Sequence, residues 1–140
     1  MNRYPEMLIA PMRGEMTAMG ARELKTAEAV DAAIANTKGT LMLVVNSVCG
    51  CAAGKARPGI ARAMQHPSHP DVLATVFAGA DLEATDRARA HFAPYPPSSP
   101  SLGIFKDGKL VYMLERKDIE IRSADMIAME LTSAFDRISK

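Results

Sequence analysis

The sequence predicts an α/β layer fold: a mixed central sheet with helices on both faces, finished by a C-terminal hairpin plus helix. Three observations carry this. Segments with helical spacing alternate with short apolar runs, the pattern of strands joined by helices. The run Leu41-Met42-Leu43-Val44-Val45 is short, rich in Leu and Val, and ends in polar residues, so it reads as a fully buried strand. Two further strand-like runs are joined by Asp107-Gly108, a two-residue hairpin signal, which gives the sheet an antiparallel edge. A chain of 140 residues is most simply one domain around one core, residues 1–140.

Taken in order, Pro5 to Met19 reads as a first helix, with Met7, Leu8, Met12, Met16 and Met19 as its buried stripe and Gly20 as its stop. Glu23-Leu24-Lys25 reads as a short strand. Thr26 is placed to cap a helix through Asn36, with Val30, Ala33 and Ile34 facing inward, and Gly39 breaks it before the central strand. A helix opens at Ala52-Ala53-Gly54 and runs to about Met64, kinked at Pro58. His66-Pro67-Ser68-His69-Pro70 is a loop, and Val72 to Ala78 a second buried strand ended by Gly79. Asp81 is placed to cap a helix to about Phe92. Ala93-Pro94-Tyr95-Pro96-Pro97-Ser98-Ser99-Pro100 cannot be helical, because proline lacks an N–H and restricts the residue before it. The hairpin strands are Ser101 to Phe105 and Lys109 to Leu114. Ser123 caps a last helix whose period is set by Met126, Ile127, Met129, Glu130, Leu131, Ala134, Phe135 and Ile138. The order is α-β-α-β-α-β-α-β-β-α.

Composition narrows the function. A net charge of +1 with no long like-charge run leaves no footprint for nucleic acid or an anionic membrane. No apolar run approaches the ~18 residues of a membrane span. The start, Met1-Asn2-Arg3-Tyr4-Pro5-Glu6, lacks the apolar centre of a secretory signal, so the expected location is cytoplasmic. In that compartment a close pair of cysteines points to redox or metal chemistry, not to a structural disulfide.

Both cysteines of the chain lie in Asn46-Ser47-Val48-Cys49-Gly50-Cys51-Ala52-Ala53-Gly54, between the central strand and the helix after it. A helix start offers unpaired N–H groups and a positive dipole end, and both favour thiolate over thiol. Cys49, at the junction, is the better nucleophile. Cys51, one step into the helix, is the second thiol. Gly50 is the permissive residue between them. Closing so small a ring strains the bridge, and a strained bridge is more oxidising, which favours exchange or isomerisation over strong reduction. Lys55 and Arg57 either add positive potential at the thiols or form a solvated helix face. Asn46 and Ser47 either position the loop or end the strand.

A non-catalytic metal-binding or metal-transfer module is the rival reading. Structural zinc takes four ligands, and this pair supplies two. His66 and His69 stand at the far end of the helix, roughly 20 Å away at ~1.5 Å per residue, and His91 sits near another helix end. A single chain is therefore read as holding no metal and needing no cofactor. A metal bridged between two copies, and with it a homodimer, stays open.

The thiols after the second strand, with a proline just before the hairpin, resemble the thioredoxin fold. The stretch Asn46 to Gly54 with Ala56-Arg57-Pro58 resembles the bacilliredoxin family more closely. Pro11-Met12-Arg13, Val76-Phe77-Ala78-Gly79, Glu83-Ala84-Thr85, Pro97-Ser98-Ser99-Pro100-Ser101 and Leu131-Thr132-Ser133-Ala134-Phe135-Asp136 agree with it as well, over nearly the whole chain. The resemblance implies a single thioredoxin-like domain with an N-terminal helical extension. It also implies removal of a small-molecule thiol, bacillithiol, from oxidised cytosolic proteins, and weak disulfide isomerase activity. It makes Cys49 the attacking and Cys51 the second cysteine, with Ser47, Gly50 and Ala52 as the loop around them. It makes Pro100 the cis proline of this fold, with the Ser99 backbone beside the thiols where an extended substrate strand would pair. The chain departs from the family at its end, Ile138-Ser139-Lys140, where many members carry a further cysteine. It also lacks tryptophan, so no such residue precedes Cys49 as in ordinary thioredoxins.

Overall fold

The computed structural model describes residues 3–139. Met1 and Asn2, which enter the reading of the N-terminus, and Lys140 of the cysteine-free end lie outside the described residues. The elements are α1 (Glu6–Ala18), β1 (Arg22–Glu23), α2 (Ala27–Asn36), β2 (Thr40–Asn46), a π-helical turn (Ala52–Ala56) leading into α3 (Arg57–Ala63), β3 (Val72–Phe77), α4 (Leu82–His91), β4 (Ser101–Lys106), β5 (Lys109–Leu114), α5 (Arg116–Glu120) and α6 (Ala124–Ile138).

One five-stranded sheet has the order β1-β3-β2-β4-β5. The strands β1, β3 and β2 are parallel, while β4 runs antiparallel to β2, and β5 to β4. The central strand β2 is covered on both sides. Leu41, Leu43 and Val45 pack with Val30 and Ile34 of α2 and Ala84 and Ala88 of α4. Met42 and Val44 pack with Ile60 of α3 and Ile127, Leu131 and Phe135 of α6. Alternate residues of a strand point to opposite faces, so a continuous apolar run is what a sheet with helices on both faces demands. Burial of such side chains contributes about 1.5–3 kcal/mol each.

The caps expected at Thr26 and Ser123 form, while Asp81 does not cap α4. The Thr26 hydroxyl accepts from the Ala29 N–H at 3.1 Å, and the Ser123 hydroxyl from the Met126 N–H at 3.1 Å. Asp107 and Gly108 both have positive φ, 50° and 83°, as a tight two-residue hairpin requires.

Several expectations need correcting. The buried face of α1 is Ile9, Arg13 and Met16, while Met7 is 91% exposed. The methionine spacing alone did not reveal that an arginine lies on the inner face. On α6, Met129 is 71% exposed, and the inner face is Ile127, Leu131, Ala134 and Phe135. The first strand is Arg22–Glu23, one residue earlier than expected. Pro58 follows a π-helical turn in which the Arg57 N–H donates to the Ala52 carbonyl, five residues back. The proline thus begins an α-helical segment, where its missing N–H is least costly. Helix α5 was not foreseen. It has five residues and one buried side chain, Ile119, and is held by a capping box between Glu115 and Asp118, so it is too short to show a period.

Candidate active site

The strand register brings three chain reversals to one edge of the sheet. Val45 pairs with Ser101, and Asn46 with Phe77. The loop after β2, the turn after β3 and the proline loop before β4 therefore meet beyond the carboxyl ends of the parallel strands, where open α/β sheets bind ligands. Ser99–Pro100 is cis, as expected, and Pro100 is buried at the start of β4. A second cis bond, Ala93–Pro94, lies earlier in the same loop.

Asn46 fixes the path into the thiols. Its Oδ1 accepts from the Ser47 N–H at 2.9 Å and from Arg57 Nη1 at 2.8 Å, and its Nδ2 donates to the Met12 carbonyl at 3.2 Å. Arg57 Nη1 also donates to the Ser47 carbonyl at 3.0 Å, and Arg57 Nε lies 3.2 Å from Glu15 Oε1. Arg57 is 2% exposed. It is not a solvated cation: it is a buried brace for the turn. Lys55 is exposed at its end and donates to the Glu120 carbonyl.

Cys49 and Cys51 are both free thiols and both half-buried. The Cys49 carbonyl accepts from the Ala52 and Ala53 N–H groups at 3.0 and 3.2 Å, which opens the helix. Partial burial pushes the Cys49 thiol up. The hydrogen bond from the Ser47 hydroxyl, those from the Ala52 and Cys51 N–H groups, and the Arg116 charge outweigh burial, and its pKa falls below the ordinary thiol value. The Ser47 hydroxyl also accepts weakly from the Cys49 N–H, at 3.4 Å. Cys51 packs its side chain against the hydrophobic cluster under α3 and α6. Ala52 is fully buried. Gly50 has neither a positive φ nor a neighbour that a Cβ would meet within 4 Å, so the free-thiol form does not itself require glycine there.

A cleft of about 310 Å³ opens beside Cys49, and Tyr4, Ser47, Arg89, Ser99 and Arg116 share its walls. Ser47, Cys49 and Ser99 are thus brought together as the sequence implied. Tyr4, Arg89 and Arg116 were missed. Tyr4 is fastened by its N–H to the Gly79 carbonyl at 3.1 Å, and its ring covers Gly79 so closely that a Cβ there would lie 2.5 Å from Cε2. Arg116 Nη1 donates to the Ser99 carbonyl at 3.2 Å, and its Nε to Glu120 at 2.6 Å. The Ser99 carbonyl, expected to be free for a substrate strand, therefore already has a partner. No local pattern announces Arg116, because α5 is too short to predict.

The histidines are engaged elsewhere. His66 Nε2 is 2.9 Å from Asp136, His91 Nε2 is 2.8 Å from Asp31, and His69 Nδ1 is 3.0 Å from the Pro70 carbonyl. Among the described residues no three His, Cys, Asp or Glu side chains converge as a metal ligand set. Among the same residues no helix is long and apolar enough to cross a membrane.

Comparison with known proteins agrees with this geometry. The family model described as "Disulphide isomerase" matches residues 4–139. The chain is 60% identical over 134 residues to a bacilliredoxin of Koribacter versatilis, covering 96% of this chain and 92% of that one. It is 53% identical over 135 residues to a bacilliredoxin of Cytophaga hutchinsonii, covering 96% and 99%. Among solved structures, the thioredoxin of Fasciola hepatica superposes with a TM-score of 0.58 at 21% identity, over 84% of this chain and 98% of that one. Thioredoxin O1 of Arabidopsis thaliana, in its oxidised state, gives 0.58 at 17% identity over 86% and 99%. At those identities the structures speak for the fold, and the fold is thioredoxin-like.

Proposed function

The chain belongs to the bacilliredoxin family and is a thiol–disulfide oxidoreductase, and from that premise we propose that it removes bacillithiol or a similar small thiol from mixed disulfides on cytosolic proteins. The observation that supports this most is Cys49 itself: a thiol at a helix start, its pKa lowered by Ser47 and by two backbone N–H groups, facing a cleft sized for a small molecule.

In the reaction, the Cys49 thiolate attacks the sulfur of the small thiol. The disulfide to the substrate protein breaks, and the bonding pair leaves on the substrate's cysteine as thiolate. Cys49 is left joined to the small thiol. Cys51 then attacks Cys49, closing a Cys49–Cys51 bridge and freeing the small thiol, or a second small thiol performs the same displacement. Ser47 holds the Cys49 thiolate, Ala52 contributes its N–H, Gly50 keeps the approach free of a side chain, and Ser99-Pro100 forms the neighbouring wall that the substrate backbone lies against. The same exchange, run between two protein disulfides, gives weak isomerase activity.

Cys49→Ser should abolish release of the small thiol from a capped peptide, and full activity in that variant would sink the proposal. Cys51→Ser should accumulate one adduct on Cys49, read by mass spectrometry after incubation with oxidised small thiol. Reduced protein purified without chelator should carry no stoichiometric metal. Metal that is lost on mutating both cysteines would favour a metal-transfer module instead.

A further inference from the structure

The cleft beside Cys49 has two guanidinium groups in its walls, Arg89 and Arg116, and no carboxylate. Arg116 is engaged with Glu120 and with the Ser99 carbonyl. Arg89 makes no ion pair among the described residues, and its Nε is shielded from water without a hydrogen-bond partner. Arg89 thus adds a positive charge that no carboxylate in the cleft walls offsets.

Resting on the reading of Cys49 as the attacking thiol, we infer that this cleft takes the anionic end of the small thiol: the cap carries one or more carboxylates, and Arg89, assisted by Arg116, receives them. The planar guanidinium fork matches a carboxylate in two hydrogen bonds, and no acidic side chain in the cleft competes for it. A volume of about 310 Å³ holds a small organic molecule and not a folded segment. Anchoring the cap sets its own sulfur against Cys49. The substrate–cap disulfide breaks, the Cys49–cap disulfide forms, and the thiolate leaves on the substrate, with no net oxidation in the step. Recognition then lies in the cap, and the protein that bears it is free to vary.

The test uses the full reduced chain in excess over one peptide whose single cysteine is capped with mercaptosuccinate, thioglycerol or cysteamine. Each single-turnover rate is divided by that peptide's rate with dithiothreitol, which removes differences in intrinsic reactivity. The wild type should prefer the dicarboxylate cap over the cationic one by about tenfold or more, equivalent to ~1.4 kcal/mol, and added salt should narrow that ratio. Arg89→Gln should bring it toward one, and Arg89→Lys should restore part of it. Equal normalised rates in the wild type, or an unchanged ratio in a folded Arg89→Gln, would overturn the inference. The wild-type ratio and its salt dependence decide even if the variant does not fold. If Cys49→Ser also released the caps, the reading of Cys49 would fail. An inert Cys49→Ser beside a wild type indifferent to charge would leave that reading standing and remove only the anion subsite.

Discussion

Burial raises the Cys49 thiol pKa while Ser47, the Ala52 and Cys51 N–H groups and Arg116 lower it, and the second set prevails. The Ser47 hydroxyl leads the lowering groups, so Ser47→Ala should move the pH profile of Cys49 alkylation upward. Iodoacetamide kinetics in a Cys51→Ser background would measure it, and an unmoved profile would remove Ser47 from the site. The same shift links to stability. Because the folded pKa lies below the ordinary thiol value, the thiolate stabilises the fold only once it forms. Relative to Cys49→Ser, the reduced protein should gain stability as pH rises through the folded pKa. The gain should be complete above the unfolded value and lost again as pH falls. Urea unfolding at several pH values would show the trend or its absence.

Between elements, α3 meets α6 in a close approach. A Cβ on Gly59 would come within 2.7 Å of Ile127 Cγ2, 2.9 Å of Ile127 Cβ and 3.0 Å of the Ala124 carbonyl. Backbone and a β-branched stem cannot yield cheaply, so Gly59→Ala should destabilise by about 1–3 kcal/mol through overpacking. The check is a lower urea midpoint with an unchanged slope. A variant as stable as the wild type would mean that α6 shifts freely. Helix caps are a gentler control. Thr26→Ala removes the bond to the Ala29 N–H and should cost about 1 kcal/mol without touching the cleft.

Across the whole molecule, the N-terminal helix is locked to the sheet by one buried pair. Arg13 Nη1 and Nη2 donate to the two oxygens of Asp81 at 2.9 and 2.8 Å, across 68 residues of sequence. Asp81 stands at the N-cap position of α4 but does not cap it, contrary to expectation. Its Oδ2 instead also accepts from the Phe77 N–H at 3.0 Å, and the guanidinium lies 5.3 Å from the centre of the Phe77 ring. Glu6 holds the outer side of Arg13 at 2.9 Å. Removing one partner of a buried pair leaves the other charged and unpaired, so Arg13→Met should cost about 3–5 kcal/mol. Chemical denaturation would measure it, and a loss under about 1 kcal/mol would mean that Asp81 finds water. Since α1 also places Met12 against Asn46, and the segment before it places Tyr4 on the cleft, the variant should disturb the site as well as the fold.

What the sequence determined by itself is what neighbours along the chain decide. The apolar run of β2, the Thr26 and Ser123 caps, the Asp107-Gly108 turn and the Cys49-Gly50-Cys51 step each need only a few adjacent residues to declare themselves. The motifs spread along the chain were enough to give the family, and with it the fold. The tertiary structure decided what depends on register. Pairing Val45 with Ser101 is what sets the proline loop beside the thiols and lets Arg116 reach both Ser99 and the field of Cys49. Arg13, Arg57 and Arg89 have the composition of surface residues, yet Arg13 and Arg57 are buried by distant partners and Arg89 is turned into the cleft. A charged side chain carries no local sign of which carboxylate, carbonyl or ring will meet it, because that partner comes near only when the chain has folded.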